Sequence, residues 1–187
     1  ELQSTYRYML HYYVEGFDDP QRNTIRNDIR RRAYELADAV RHEALGDISP
    51  TYYYALRRVA RYQSSDIPTI LCDAVGEREQ HELTAVRLFD QVYTTGFLNS
   101  QATDALSEAL RNSSYPADVK TLIISALLLA LQASFDRNKV RLLFDAAALT
   151  NAISLQALVA LCLTLDAYST RLALYPEIHD RLEALAE

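Results

Sequence analysis

The sequence predicts an all-α fold in which antiparallel helical hairpins stack as a short right-handed α-solenoid of about nine to ten helices. Apolar residues recur at helical spacing along most of the chain, and no stretch shows the alternation or the Asn-Gly and Asp-Gly turns of strands. Helix start signals recur at intervals of 34 and 36 residues, which is typical of helical repeats. With 187 residues, 49% of them hydrophobic, the chain is expected to form one domain, residues 1–187.

The first three helices are predicted from their ends. Apolar residues at helical spacing indicate a first helix that is closed by Gly16. Asp19, which precedes a proline, is the predicted N-cap of a longer second helix ending at Gly46. A Ser-Pro pair at residues 49–50 repeats this start signal and opens a third helix that continues to about Tyr62. These helices form an Arg-rich and Tyr-rich segment, residues 1–62.

Residues 63–187 are predicted to form paired helices. The first helices of three hairpins follow the predicted N-caps Asp66, Ser100 and Asp136. The second helices are expected to start near Glu77, Pro116 and Ala152. The first of these should end at Gly96, and Pro176 should open a last helix.

The helix predicted over residues 116–135 is apolar on two faces. The first face carries Val119, Leu122, Ile123, Ala126, Leu129 and Ala133, and the second carries Ile124, Leu127, Leu128, Leu131 and Phe135. Only Asp118, Thr121, Ser125 and Gln132 form a polar stripe. Such a helix must be covered on two sides, so we expect it between neighbouring helices. Residues 119–133 also match residues 153–167 at five of fifteen positions, an offset of 34 that supports a repeat.

Residues 66–174 resemble HEAT-type or tetratricopeptide-like helical hairpins. The closing segment, residues 171–182 (Arg-Leu-Ala-Leu-Tyr-Pro-Glu-Ile-His-Asp-Arg-Leu), resembles an uncharacterised family of long helical repeat proteins from gut anaerobic bacteria. Tetratricopeptide repeats carry a Trp-x-x-Leu-Gly-x-x-Tyr pattern, whereas this chain has no tryptophan, which leaves HEAT-like or unclassified hairpins. The resemblance implies a scaffold and supplies no catalytic residue.

Catalytic and metal-binding patterns are incomplete in this sequence. His-Glu pairs at His42 and His81 begin like the helix motif of zinc proteases, but Gly46 and Ala85 occupy the positions of the second ligand. Glu77 and His81, four residues apart, could form an acid–base pair, although a solvated helix start explains them more simply. We therefore predict no enzymatic activity, no metal and no cofactor.

The cysteines and the longest apolar run indicate where in the cell the protein is expected. Cys72 and Cys162 are ninety residues apart in apolar helical runs, which predicts reduced, buried thiols in a cytoplasmic protein. The longest nearly uninterrupted apolar run, residues 122–131, is half of the roughly twenty residues that a membrane span needs. We therefore expect no membrane segment.

An Arg-rich and Tyr-rich surface is the candidate partner site. Residues 1–62 hold ten arginines and nine of the thirteen tyrosines. Guanidinium groups among aromatic rings suit a protein interface or an anionic peptide, and they also suit phosphates and stacked bases. The candidate partner-binding residues are Arg22, Arg26, Arg30, Tyr52, Arg57, Arg58 and Arg61.

An ordinary solvated helix surface explains the same residues. The acids Asp28, Glu35 and Asp38 are spaced to pair with Arg31, Arg32 and Arg41. Tyr6, Tyr13 and Tyr53 lie on apolar stripes, so their rings are predicted to pack in the core or in helix seams.

Function is predicted at the level of class. The first hypothesis is a non-enzymatic scaffold that binds another protein or further repeats of its own chain. The alternative is a nucleic-acid-binding HEAT-like protein that uses the N-terminal Arg/Tyr face, which a net charge of −6 and an isoelectric point near 5.2 disfavour. A bundle that binds a small ligand remains a third hypothesis. Because residues 176–187 resemble the first helix of a hairpin, we also expect a longer chain or a homodimer through the C-terminal edge.

Overall fold

A computed structural model of the protein describes residues 1–62, 66–74 and 78–186. It confirms an all-α fold, with no strand in these ranges. The helices found there are α1 Leu2–Val14, α2 Arg22–Ile48, α3 Pro50–Val59, α4 Ile67–Asp73, α5 Arg78–Thr94, α6 Ser100–Arg111, α7 Ala117–Ala133, α8 Arg137–Ala147, α9 Ser154–Ala167, α10 Ser169–Leu172 and α11 Pro176–Ala186.

The described residues thus contain eleven helices instead of the nine to ten expected. The additional one is α10, a single turn between α9 and α11. It is separate because Tyr168 leaves helical geometry, with φ −111° and ψ 14°.

Local start signals predicted most of the helix N-termini. The side chains of Ser49, Asp66 and Asp136 cap α3, α4 and α8 as predicted, each accepting a hydrogen bond from a backbone N–H in the first turn. The cap of α6 is Asn99 rather than the predicted Ser100, and its side chain accepts from the Ala102 N–H at 2.8 Å. Helix α9 begins at Ser154, two residues after the predicted Ala152.

The limits of α2 differ from the prediction at both ends. Asp19 does not cap the helix, because its carboxylate binds the Gln21 N–H at 2.8 Å within a turn and the helix begins only at Arg22. The helix passes through Gly46 and ends at Ile48, since Ser49 precedes a proline and takes the extended conformation. Gly16 adopts the predicted left-handed conformation after α1, with φ 79°.

Helix α7 is covered by neighbouring helices on several sides, as its two apolar faces predicted. It packs between α5 and α9 and also contacts α6 and α8. Residues from both predicted faces are buried, including Ile123, Ile124 and Leu127. Leu129, which the prediction assigned to an apolar face, is exposed on the outer surface.

The helices from α3 onward contact one another in two rows. In the first row, α3, α5, α7 and α9 each contact the next, and in the second row α4, α6, α8 and α11 do the same. The rows meet through pairs such as α4 with α5 and α8 with α9. One continuous set of buried apolar residues, from Leu45 to Ile178, fills the space between them.

Several side chains that were predicted to be buried are exposed. Helix α1 packs against α2 and has no buried residue, so Tyr6 and Tyr13 remain in solvent, and Tyr53 on α3 is exposed too. One neighbouring helix covers too little surface to bury aromatic rings on all sides of α1. Cys72 and Cys162 are also exposed, because each lies on the outward side of a helix whose adjacent leucine, Leu71 or Leu161, faces the core.

Candidate functional site

The arginines of the candidate surface on α2 lie near the N-terminus of this helix. Arg22 places its guanidinium carbon 4.8 Å from the centre of the Tyr13 ring and donates a hydrogen bond to the Phe17 carbonyl. Arg22 therefore helps to hold α1 against α2. Arg26 and Arg30 are exposed and form no ion pair with any residue in the described ranges.

Tyr52 on α3 is a buried structural residue. Its ring is only 2% exposed, and its hydroxyl donates to the Thr94 carbonyl at 3.0 Å and lies 2.9 Å from Nε2 of His42. Burial raises the pKa of Tyr52 to about 12. A side chain in this position links α2, α3 and α5 and is not presented to a partner, contrary to its assignment to the surface.

Arg58 is an exposed arginine that binds a buried carboxylate. Its Nε and Nη2 atoms each donate to Asp90 at 2.7 Å, and the Tyr62 hydroxyl donates to the same carboxylate at 2.6 Å. Asp90 is fully buried on α5. Burial, followed by the hydrogen bond to Asp90, raises the pKa of Tyr62 to about 12. Arg58 therefore fastens α3 to α5.

The seven candidate residues are distributed over α2 and residues 52–61 and differ in exposure. The arginines of α2 lie in its N-terminal part, whereas Tyr52 is buried on α3. Arg57 stacks on the ring of Tyr53 at 5.7 Å, and Arg61 is exposed. The seven candidate residues were predicted from their spacing along the second and third predicted helices alone. Spacing within a helix cannot show that Asp90, 32 residues away in the sequence, lies beside Arg58.

The ion pairs expected from spacing are present in part. Asp28 pairs with Arg31 at 2.5 Å and with Arg32 at 2.9 Å, as predicted for a solvated helix face. Asp38 does not pair with Arg41, because it is buried and binds Arg171 instead.

A polar junction that sequence analysis missed lies at the C-terminus of α5. The ammonium group of Lys139, on α8, is fully buried and donates to the carbonyl groups of Thr95 and Gly96. The Asp136 carboxylate accepts from the Leu98 N–H at 2.8 Å, and Asn138 donates to the Leu98 carbonyl at 2.7 Å. A cation suits the exposed carbonyls of a helix end. Together these residues hold residues 95–98 against the start of α8.

Burial perturbs the ionisable groups of this junction. It lowers the pKa of Lys139 to about 8 and raises the pKa of the Asp136 carboxyl. Burial and the nearby charge of Lys139 lower the pKa of His42. A Cβ atom on Gly96 would lie only 3.1 Å from the His42 ring, so this glycine lets the ring approach the backbone. These contacts are to backbone groups and to Tyr52, which makes the junction structural.

A mixed-charge cleft of about 560 Å³ lies between α2 and the start of α8. Its walls combine three arginines, two carboxylates and three aromatic rings, which are Arg31, Arg32, Arg137, Glu35, Asp136, Phe97, Phe135 and Tyr175. The cleft therefore carries both signs of charge, and Asp28 pairs with two of its arginines, Arg31 and Arg32.

A row of exposed apolar side chains lies on α9. We call Leu155, Leu158, Val159, Cys162 and Leu163 the α9 stripe. Beside it, an apolar groove of about 600 Å³ runs between α7 and α9, lined by residues such as Leu128, Val159 and Ala160. Contiguous exposed apolar surface of this kind is characteristic of interaction sites.

Comparisons of the chain with protein-family models, with curated proteins and with solved structures found no match. Within the described ranges, no helix is long and apolar enough to cross a bilayer. Those ranges also contain no group of three or more His, Cys, Asp or Glu side chains placed to hold a metal ion. Glu77 and the side chain of His81 lie outside the described part of the chain, so their predicted pairing stays a prediction.

Proposed function

We propose that this chain is a non-enzymatic helical-repeat scaffold, a short α-solenoid of HEAT-like hairpins that acts as a protein–protein interaction module. Its docking surface is the α9 stripe together with the groove beside it. The successive contacts within each of the two helix rows support the repeat architecture.

The proposal rests on a difference in solvent exposure between corresponding residues of α7 and α9. At the repeat offset of 34 residues, Ile124 on α7 corresponds to Leu158 on α9. Ile124 is 0% exposed beside α9, whereas Leu158 is 40% exposed. On the outer face, Leu155 is 70% exposed at the position that corresponds to the polar Thr121. Helix α9 therefore presents apolar surface where its counterpart is covered or polar, which favours a protein partner.

The N-terminal Arg/Tyr face supports a nucleic-acid partner less well. Tyr52 is buried, Arg58 is paired with Asp90, and the remaining arginines are divided between the N-terminal end of α2 and the region of α3. Nucleic-acid binding by backbone contacts needs a continuous basic surface. A protein partner at the α9 stripe is the better supported function.

Site-specific photo-crosslinking tests the proposal in cells that naturally express the protein. A benzophenone amino acid replaces Leu155 in the stripe or, as a matched control, the exposed Glu108 on α6. We expect position 155 to crosslink to a defined protein, identified by mass spectrometry, and we expect Leu158→Asp to abolish that product. Identical products from positions 155 and 108, or products unaffected by Leu158→Asp, would contradict the proposal.

A further inference from the structure

We infer that the α9 stripe receives a single α-helix, laid beside α9 in the register in which α9 itself lies beside α7. This inference rests on the proposed function and specifies the partner at the same surface. The interface between α7 and α9 serves as the template, because the incoming helix would contact α9 in the way that α9 contacts α7.

The template defines which residues of α9 the incoming helix covers. The side of α7 that faces α9 carries Ile124, which is fully buried, and Leu128, which is partly buried. Their counterparts at the 34-residue offset are Leu158 and Cys162, and both are exposed. A helix in the same register would cover these two residues.

The template also indicates the chemistry of the incoming helix. Against α7, α9 presents the small residue Ala160 and the polar residue Gln156, whose amide donates to the Ser125 hydroxyl at 3.1 Å. The counterpart of Ser125 on α9 is Val159, which offers no hydroxyl. The incoming helix therefore carries a small residue at the position that corresponds to Ala160 and an apolar one in place of Gln156.

Charge restricts the partner further. Residues 154–165 of α9 contain no charged side chain, and the first charge after them is Asp166. A charged residue on the contacting face of the partner would be desolvated without an opposite charge nearby. The inferred partner is thus an amphipathic helix with an uncharged, aliphatic contacting face.

Helix α11 ends the second row as α9 ends the first. It follows α8 in the second row, as the incoming helix would follow α9 in the first. The seventh residue of α8, Leu143, is 0% exposed, while the seventh residue of α11, Leu182, is 41% exposed. Leu158 on α9 is thus exposed while its counterpart in the preceding helix of the first row, Ile124, is buried. In the second row, Leu182 on α11 is likewise exposed while Leu143 on α8 is buried.

A tethered helix tests the register directly. The full chain is extended after residue 187 by a six-residue linker, the length of the segment 148–153, and by a copy of residues 154–167. In the copy, Gln156→Leu removes the amide and Cys162→Ser removes the second thiol. A matched control carries one further change in the copy, Ala160→Lys, which places a charge in the contact.

The rate of maleimide alkylation at the original Cys162 is the readout, and the exposed Cys72 is the internal reference. Because a short tether gives an effective concentration in the millimolar range, we expect the Cys162 rate to fall about tenfold or more relative to Cys72. The Ala160→Lys control should retain the fast rate. Unchanged Cys162 alkylation with the matched helix, or equal protection by the control, would overturn the inferred register.

Two further outcomes are informative. Protection of Cys162 in the unextended chain that increases with protein concentration, with Cys72 unaffected, would identify a second copy as the occupant and overturn this inference. Crosslinks from position 155 in cells, combined with unchanged alkylation in the tethered chain, would reject the register and retain the docking surface. Absence of both signals would reject the proposed function as well.

Discussion

Asp38 on α2 and Arg171 on α10 form a buried ion pair that joins positions 133 residues apart in the sequence. Aromatic rings enclose the guanidinium group, with the Phe135 ring centre 4.3 Å from its central carbon and Tyr34 and Tyr168 at 4.9 Å. Such stacking suits a weakly hydrated, planar cation. The pair links α2 to α10.

Arg171→Met should lower the free energy of unfolding by about 3–5 kcal/mol, because Asp38 would remain buried without its counter-charge. The measurement is urea denaturation followed by circular dichroism. The double variant Asp38→Leu, Arg171→Met should recover most of this loss, since it leaves no unpaired charge. Losses that simply add in the double variant would contradict a coupled pair.

Leu127→Asp should destabilise the fold by more than about 4 kcal/mol, since it places a carboxylate in a fully buried position on α7. Ser125→Asp, on the partly buried polar stripe of the same helix, is the matched control and should be much milder. Thermal and urea denaturation of the two variants provide the comparison. Equal melting temperatures for Leu127→Asp and the unmodified protein would show that α7 is not a core helix.

Arg58→Ala should cost about 2 kcal/mol, because the buried Asp90 would lose a bidentate, charge-assisted partner. Arg61→Ala removes an exposed arginine from the same segment and should change stability by less than about 0.5 kcal/mol. The two urea midpoints compare Arg58, which binds the buried Asp90, with Arg61, which lies in solvent. Similar midpoints would mean that the contact with Asp90 contributes little.

Stability should decrease as the pH falls below about 6.5 in part because of His42. Burial and the charge of Lys139 lower the pKa of folded His42, so the unfolded chain takes up this proton first and is favoured as the pH falls. His42→Gln should therefore reduce the loss of stability between about pH 7.5 and pH 5, measured by urea denaturation. If the free energy of unfolding falls equally with pH in the unmodified protein and in His42→Gln, His42 does not contribute to the pH dependence of stability.

Local features of the sequence predicted the helices well. Caps such as Ser49, Asp66 and Asp136 act within one helical turn, so a short window of sequence contains the whole interaction. The two apolar faces of α7 likewise required coverage by neighbouring helices wherever the chain placed them. The exposure of α1 could not be predicted, because its stripe shows a helical period and not how many neighbours cover it.

Long-range contacts limited the prediction of the candidate site. The spacing of Asp38 indicated a local arginine, yet burial and the aromatic surroundings of Arg171 favour a partner 133 residues away. Local sequence assigned Tyr52 to the surface, whereas in the folded chain its hydroxyl donates to the carbonyl of Thr94 at the end of α5. The apolar character of residues 153–167 was evident in the sequence, but which of these residues are exposed depends on packing against α7 and α8.

Whether the α9 stripe is a docking surface is tested by comparing alkylation of Cys162 and Cys72 in cells that naturally express the protein with alkylation of the purified chain. Both thiols are exposed in the isolated structure, and only Cys162 lies in the α9 stripe. We expect Cys162 to be protected in cells relative to Cys72 and to become reactive on purification or in Leu158→Asp. The same ratio of alkylation rates in cells and in the purified protein would contradict a docking surface at α9.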